Sequence, residues 1–405
     1  MALGWFNTKV NPIAVDVGTS CIKMLQVEPR DGGLKLLAAA CTDIPHDLRG
    51  KPRERDEFAA DAIKKMLGEA GFKGRQVATC LPAAHVAMQH LRVARMSDEE
   101  LAKALPFEAA GKLPFDSSRA VIRHLVAGEV YHDQEAKMEV ILMAASRESV
   151  ERHLAMLSRA KTEVVGIHVE PNALIECFSH LFRRKGDENL STMFIDIGAG
   201  STHVVISHGK QIVFAKHLAF GGDLFNRKAG EALKIAPGKA SETRVAMMRQ
   251  ATTDLLPAGV VSIGANGVNA HPLGAANNRS DALLVAPEAV KKVSDALEEP
   301  VGTLISELEL CVRYYESVFG GKPVDRTLFL GGEARHVTLC QKIAQRLALP
   351  ATLGDPLARL AKDNGQKCGV DLKSPQPGWA IAVGLAQGIR AEAEQKTKVG
   401  EVAAV

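Results

Sequence analysis

Two short stretches carry the residue types that a polyanion needs. Asp16-Val17-Gly18-Thr19-Ser20-Cys21-Ile22-Lys23 offers an acid, a glycine turn, two hydroxyls and a lysine. Asp196-Ile197-Gly198-Ala199-Gly200-Ser201-Thr202 repeats the acid, the glycines and the hydroxyls 180 residues later (196 − 16). Glycine lets the backbone come close to a ligand, and successive N–H groups in a turn form a nest for an anion. An acid at the end of each strand suits a magnesium ion, which keeps much of its water shell. The combined chemistry is a grip on a triphosphate and its Mg2+. Either turn alone is also an ordinary hairpin turn; the pair on a repeated frame is what points to phosphate.

The elements that must position these turns recur in the same order. Ile13 to Val17 is a short apolar run ending at a glycine turn, which reads as a buried strand. Ile22 to Val27 alternates, Leu34 to Ala40 continues as a third strand, and Asp31-Gly32-Gly33 marks the turn between them. A helical spacing follows over Phe58 to Ala70, and then a strand over Val77 to Leu81. From Met193 the opening pattern returns, with strands over His203 to Ser207 and Gln211 to Leu218. The chain therefore reads as a duplicated α/β domain.

Between the copies, residues 88–165 read as a small inserted α/β subdomain. Ser97-Asp98-Glu99-Glu100 is a capping box opening a helix that must bend or restart at Pro106. Strands around Ala120 to Ala127 and Met138 to Ala145, a helix from Glu148 to Arg159 and a strand from Glu163 to His168 complete it. The expected domains are 1–190 and 191–390. A flexible insertion is expected over about 252–285, where glycine, asparagine and alanine dominate, and a tail over 391–405. A helix is expected from Pro300 to Phe319, a strand from Thr327 to Leu330, and a closing helix from Trp379 to Arg390.

Composition narrows the function classes. Of 405 residues, 46% are hydrophobic and 24% charged, which are globular values, and the net charge of +3 gives no reason to invoke nucleic acid. Seven scattered cysteines without a C-x-x-C pair suggest neither a disulfide framework nor structural zinc. With no long apolar run, no transmembrane segment is expected and a cytoplasmic location is. His203, His208 and His217 fall on alternating strands without carboxylate or cysteine partners at ligand spacing, and read as ordinary strand histidines. No G-x-x-x-x-G-K-[ST] loop is present, so the phosphate site is of another kind.

The two turns resemble the phosphate-1 and phosphate-2 loops of the actin, sugar-kinase and heat-shock-chaperone ATPase superfamily. Leu328-Phe329-Leu330-Gly331-Gly332-Glu333-Ala334-Arg335 resembles its adenosine motif, although Glu333 replaces the small residue usual there. Glu170 to Leu174 and Ala380 to Gly384 resemble its two connecting helices. Within the superfamily the chain is most similar to the PilM family of type IV pilus assembly. The similar segments are Leu3-Gly4-Trp5-Phe6, Met96 to Leu101, Glu108 to Phe115 and Phe220-Gly221-Gly222-Asp223-Leu224.

The resemblance implies an actin-like ATPase fold with duplicated ribonuclease-H-like domains and an FtsA-like inserted subdomain. It implies Asp16 and Asp196 at the magnesium ion, and Thr19, Ser20 and Lys23 at the phosphates. Backbone of Gly18, Gly198, Ala199, Gly200 and Ser201 would meet phosphate oxygens, with Gly221 and Gly222 just beyond. Gly331 and Gly332 would border the adenosine, and Arg335 would lie at the base. Glu170 sits where superfamily members orient the attacking water; a helix-start acid favouring the macrodipole is the other reading.

The implied function is an ATP-binding scaffold of a pilus or type II secretion platform, peripheral at the inner face of the cytoplasmic membrane. Its partner would be the cytoplasmic N-terminal peptide of a PilN-like membrane protein. ATP binding with slow or absent hydrolysis is expected. The rivals are a filament-forming FtsA- or MreB-like homologue and a small-molecule kinase.

Overall fold

The apolar runs around the two aspartates become the centres of two sheets. The computed structural model describes residues 11–30, 33–132, 135–254, 261–264, 267–268, 285–361 and 369–388. Strands β1 (Ile13–Val17), β2 (Cys21–Arg30) and β3 (Gly33–Asp43) form an antiparallel meander, followed by helix α1 (Pro52–Glu69) and by β4 (Gln76–Cys80), parallel to β1. Next come β5 (Ala87–Ala94), α2 (Asp98–Glu108), β6 (Ala120–His132), β7 (Glu135–Ser146), α3 (Arg147–Arg159), β8 (Glu163–His168) and α4 (Glu170–Cys177).

The second half repeats the meander as β9 (Ser191–Ile197), β10 (Thr202–His208) and β11 (Gln211–Leu218), then α5 (Gly222–Leu233) and α6 (Pro237–Asp254). Short strands β12 (Val261–Gly264) and β13 (Gly267–Val268) precede α7 (Pro287–Val318), β14 (Arg326–Leu330), α8 (Val337–Leu347), β15 (Ala351–Leu353) and β16 (Leu360–Ala361). A last helix, α9, spans 380–388. The sheet orders are β16-β3-β2-β1-β4-β8 and β11-β10-β9-β14-β15-β12-β13. Both contain the same five-strand path, with β4 and β8 parallel to β1 just as β14 and β15 are parallel to β9. The chain has the actin-like ATPase fold, and its internal repeat is structural as well as sequential.

Strand alternation decides which way the aspartates face. Side chains two apart share a sheet face. Ala14 on β1 and Phe194 on β9 lie in one apolar cluster with Leu174 and Ile175 of α4 and Ala382 and Val383 of α9. Their neighbours Val15 and Ile195 point outward, into the cluster over α1 and α3 and the cluster over α7 and α8 respectively. Asp16 and Asp196, two residues beyond Ala14 and Phe194, therefore turn toward the space between the sheets. Lys23 and His203 do likewise, because Leu25 and Val205 join the same central cluster.

Several elements differ in extent from the sequence expectation. The helix expected from Pro300 starts at Pro287 and is 32 residues long. Pro287 fits the first turn, where an N–H has no partner, and buried Pro300 forfeits one internal bond within a long apolar face. The α2 helix runs through Pro106 without restarting and ends at Glu108. Of the span 252–285, most lies outside the described residues; within it, β12 pairs in parallel with β15. The lead Leu3–Phe6 and the tail 391–405 are also outside them. No helix among the described residues is long and apolar enough to cross a membrane.

A third sheet, β5-β7-β6, carries α2 on one face, and its unit spans Ala87 to Ser146. Helix α3 packs on α1 and β8 pairs with β4, so both lie with the first sheet. A buried acid ties this unit to the second half. The fully buried side chain of Glu139 on β7 accepts hydrogen bonds from His90 Nδ1 and Arg92 Nε, each at 3.1 Å, and from the Tyr314 hydroxyl of α7 at 2.7 Å. Burial alone would raise its pKa, but these donors hold it below the ordinary glutamate value. Removing one member of such a network strands the others, so Glu139→Ala should lower stability by about 3–5 kcal/mol, as read from urea unfolding.

Candidate functional site

The two acidic turns are built alike. The Gly18 N–H donates to the Cys21 carbonyl at 3.1 Å, and the Gly198 N–H to the Ser201 carbonyl at 2.9 Å. Antiparallel register then sets a cation opposite each acid: Asp16 faces Lys23, and Asp196 faces His203. The turns also meet each other. A Cβ added to Gly200 would lie 2.5 Å from Thr19 Oγ1, so the hydroxyl of one turn rests against the backbone of the other. Behind the second turn stands the start of α5, where the Gly222 N–H donates to Gly198 O at 3.0 Å and the Asp223 N–H to Ala199 O at 2.8 Å.

The glycine pair after β14 completes the ring. Gly331 has φ +85°, and a Cβ there would lie 2.5 Å from Asp196 Oδ1 and 2.3 Å from Ile197 O. Only glycine permits both the left-handed backbone and that approach. Gly332 is exposed, and Arg335 turns to the Gln376 side chain. The fold thus brings Asp16, Gly18, Thr19, Ser20, Lys23, Asp196, Gly198, Ala199, Gly200, Ser201, Gly221, Gly222 and Gly331 around one space. Arg335 is tethered at its edge.

Charge in this space is dense and out of water. Asp16 is 6% exposed and Asp196 9%. Burial raises the Asp16 carboxyl above its ordinary value, against the pull of Lys23, whose Nζ stands 3.4 Å from Asp16 Oδ2. Burial disfavours the Lys23 ammonium, yet Asp16 and Asp196 outweigh it and hold its pKa above the ordinary lysine value. Asp196 is pushed up to about 7 by burial, with nearby Glu170 and Asp16 adding to the shift. Among the described residues no donor reaches its carboxylate. A buried acid without a donor is a group that a divalent cation would satisfy.

His203 lies on a strand as expected, but it has a carboxylate partner that its sequence neighbours do not supply. Its Nε2 lies 2.7 Å from Oε2 of Glu170, the first residue of α4. Burial would lower the imidazole pKa and raise that of the carboxyl; the pairing outweighs both, so His203 is held up and Glu170 down. The sequence did contain a signal. His203 follows Asp196 by seven residues, as Lys23 follows Asp16 (203 − 196; 23 − 16). Two further ion pairs escaped the sequence reading. Arg49 Nη1 reaches Asp223 Oδ1 at 2.5 Å, from the connection between β3 and α1 to the start of α5, and Arg244 Nη2 reaches Glu333 Oε2 at 2.5 Å. The latter explains why an acid is tolerated after the glycine pair.

Comparison with known proteins finds relatives in sequence and in fold. The profile of the family described as type IV pilus assembly protein PilM matches residues 14–248. A solved PilM-PilN type IV pilus biogenesis complex matches 94% of this chain and 99% of its own, at 20% identity and a TM-score of 0.72. The ethanolamine utilization protein EutJ from Carboxydothermus hydrogenoformans covers 93% and 92%, at 12% identity and a TM-score of 0.49. MreB5 of Spiroplasma citri bound to ADP covers 98% and 99%, at 10% identity and a TM-score of 0.45. The first likeness speaks for a shared fold; the other two are too distant to carry an argument.

Proposed function

The chain belongs to the PilM family of type IV pilus assembly proteins, and on that premise we propose that it is an ATP-binding scaffold of a pilus assembly platform. The observation that carries the proposal is the contact of the two acidic turns at Thr19 and Gly200. One polyanion entering there is gripped from both halves, so its binding favours the closed arrangement by differential affinity. Asp16 and Asp196 are the residues to hold Mg2+, through its water shell. Thr19, Ser20 and Lys23 would take phosphate oxygens, along with backbone N–H groups of Gly18, Gly198, Ala199, Gly200 and Ser201. Gly221 and Gly222 back the second turn, Gly331 and Gly332 flank the adenosine, and Arg335 stands at its mouth.

The partner in this proposal is the cytoplasmic N-terminal peptide of a PilN-like membrane protein, as the related complex suggests. That partner would hold the chain at the inner face of the cytoplasmic membrane. Titrating ATP with Mg2+ into the wild type and Asp16→Ala, then adding a peptide from such a partner, tests the proposal. Saturable binding in the wild type, at least roughly tenfold weaker in the variant, is expected from loss of an ion-organising carboxylate. Equal affinity in both would remove the site.

A further inference from the structure

We infer that Arg49 is a positioning residue that ties the two acidic turns together, so that a nucleotide enters and leaves by breaking its bond to Asp223. The inference rests on the nucleotide reading of the cleft and concerns the control of exchange. A continuous path of hydrogen bonds runs from one turn to the other. The Ser20 carbonyl of the first turn accepts from the Ile44 N–H at 2.8 Å, and the Ile44 carbonyl accepts from Arg49 Nε at 3.3 Å. Arg49 Nη1 then donates to Asp223 Oδ1 at 2.5 Å, and the Asp223 N–H donates to Ala199 O of the second turn at 2.8 Å. Every link belongs to the chain itself. Within this path, only the bond from Arg49 to Asp223 crosses between the halves.

That bond is built unlike an ordinary surface ion pair, which is worth little because two long side chains must be held still in water. The Arg49 and Asp223 side chains are only 17% and 26% exposed. The guanidinium is a rigid fork, and its Nε bond to Ile44 O aims Nη1 before the pair forms. Ile44 is itself fixed, buried in the cluster over α1. Asp223 is fixed by the first turn of α5. The same connection meets the second half again at α6, where a Cβ added to Gly238 would lie 3.7 Å from His46 Cβ. Placement gives the bond its consequence. The apolar cluster with α4 and α9 joins the sheets at Ala14 and Phe194, before the two aspartates along their strands. The Arg49–Asp223 bond joins the halves past the aspartates, at the turns, so parting the turns requires that it break.

The test uses the full chain, with Arg49→Met, which keeps an aliphatic stem, Asp223→Ala, and the double variant. Two readouts are taken: stopped-flow association and dissociation of a fluorescent ATP analogue with Mg2+, and amide hydrogen exchange of the ligand-free protein. The analogue should leave either single variant at least roughly tenfold faster than the wild type, the scale of losing one partner of a desolvated charge pair. The double variant should lie within roughly twofold of the singles, because both remove the same bond. In Arg49→Met, exchange should quicken at Gly18 and Ile44 and also, across the cleft, at Gly222 and Asp223. Glu163 and Thr327, whose N–H groups donate to Arg75 O and Pro350 O at the starts of β8 and β14, should keep the wild-type rate. Unchanged dissociation or additive effects in the double variant overturns the inference. So does quickened exchange that stays in the first half or that reaches Glu163 and Thr327 as well. A wild type that binds no analogue overturns the proposed function instead, and the exchange pattern then decides the tie between the turns by itself.

Discussion

Asp196→Asn is expected to make the ligand-free protein more stable at pH 8 and to abolish its stabilisation by ATP with Mg2+. Folding buries this carboxyl and pushes its pKa up to about 7, against an ordinary aspartate value of 3.8. The folded state therefore holds the proton more tightly than the unfolded state. Stability conferred by that difference is present at low pH and drains away as pH rises from about 4 to about 7. Above that range the buried charge costs up to about 4 kcal/mol, taking about 1.4 kcal/mol per pKa unit. An amide of the same shape removes the charge but leaves polar hydrogens in a tight space, so a net gain of about 2–4 kcal/mol is expected at pH 8. For a chain this long that corresponds to roughly 2–5 °C in melting temperature. Ligand reverses the order, since binding stabilises only the protein that retains the ion-holding acid. Thermal unfolding at pH 5 and pH 8, with and without ATP and Mg2+, checks both halves. A variant that melts below the ligand-free wild type at pH 8 would show that the acid is satisfied within the fold.

Particular residues show where the sequence was sufficient and where it was not. Asp16 and Asp196 could be placed because everything that positions them is local: a β-branched run, alternation of period two, and a glycine turn. Two such turns separated by a long spacer imply duplication, and duplication implies that the turns face each other. His203 could not be paired from sequence, because its partner sits on α4, and only tertiary packing brings that helix beside β10. The same holds for Arg49 with Asp223 and for Glu139 with Tyr314, whose partners lie on elements far apart in the chain. Pro300 misled for a different reason. A proline is locally unfavourable in a helix, yet Leu304, Ile305 and Leu308 beyond it and Val293 before it share one buried face. Burial of that face outweighs one missing hydrogen bond. Arg335 carried a role by resemblance alone, and its bond to Gln376 depends on a loop that no short motif specifies.

Gly384→Ala is expected to lower stability by about 3 kcal/mol or more, although alanine is the better helix former by about 1 kcal/mol. Gly384 lies in α9 where that helix crosses α4, and a Cβ there would sit 1.8 Å from the Ala173 carbonyl oxygen. Contacts below 3.0 Å essentially never occur, so one helix must move. Both helices are embedded in the cluster shared by the two sheets, which leaves little room for a shift. Motion of α4 displaces Glu170 at its start. Motion of α9 pulls on the preceding turn, where the Gly331 N–H donates to Pro377 O at 3.1 Å. Nucleotide affinity should therefore fall together with stability. Gly302, in the middle of α7, provides the opposite case: nothing lies within 4 Å of its added Cβ. Gly302→Ala should stabilise by about 0.4–1 kcal/mol through the unfolded chain's lost freedom. Urea unfolding of the two single variants would thus give opposite signs for one chemical change in two helices. A stable Gly384→Ala variant with full affinity would mean that α4 and α9 can separate without disturbing the cleft, and that the two halves are not coupled through their crossing.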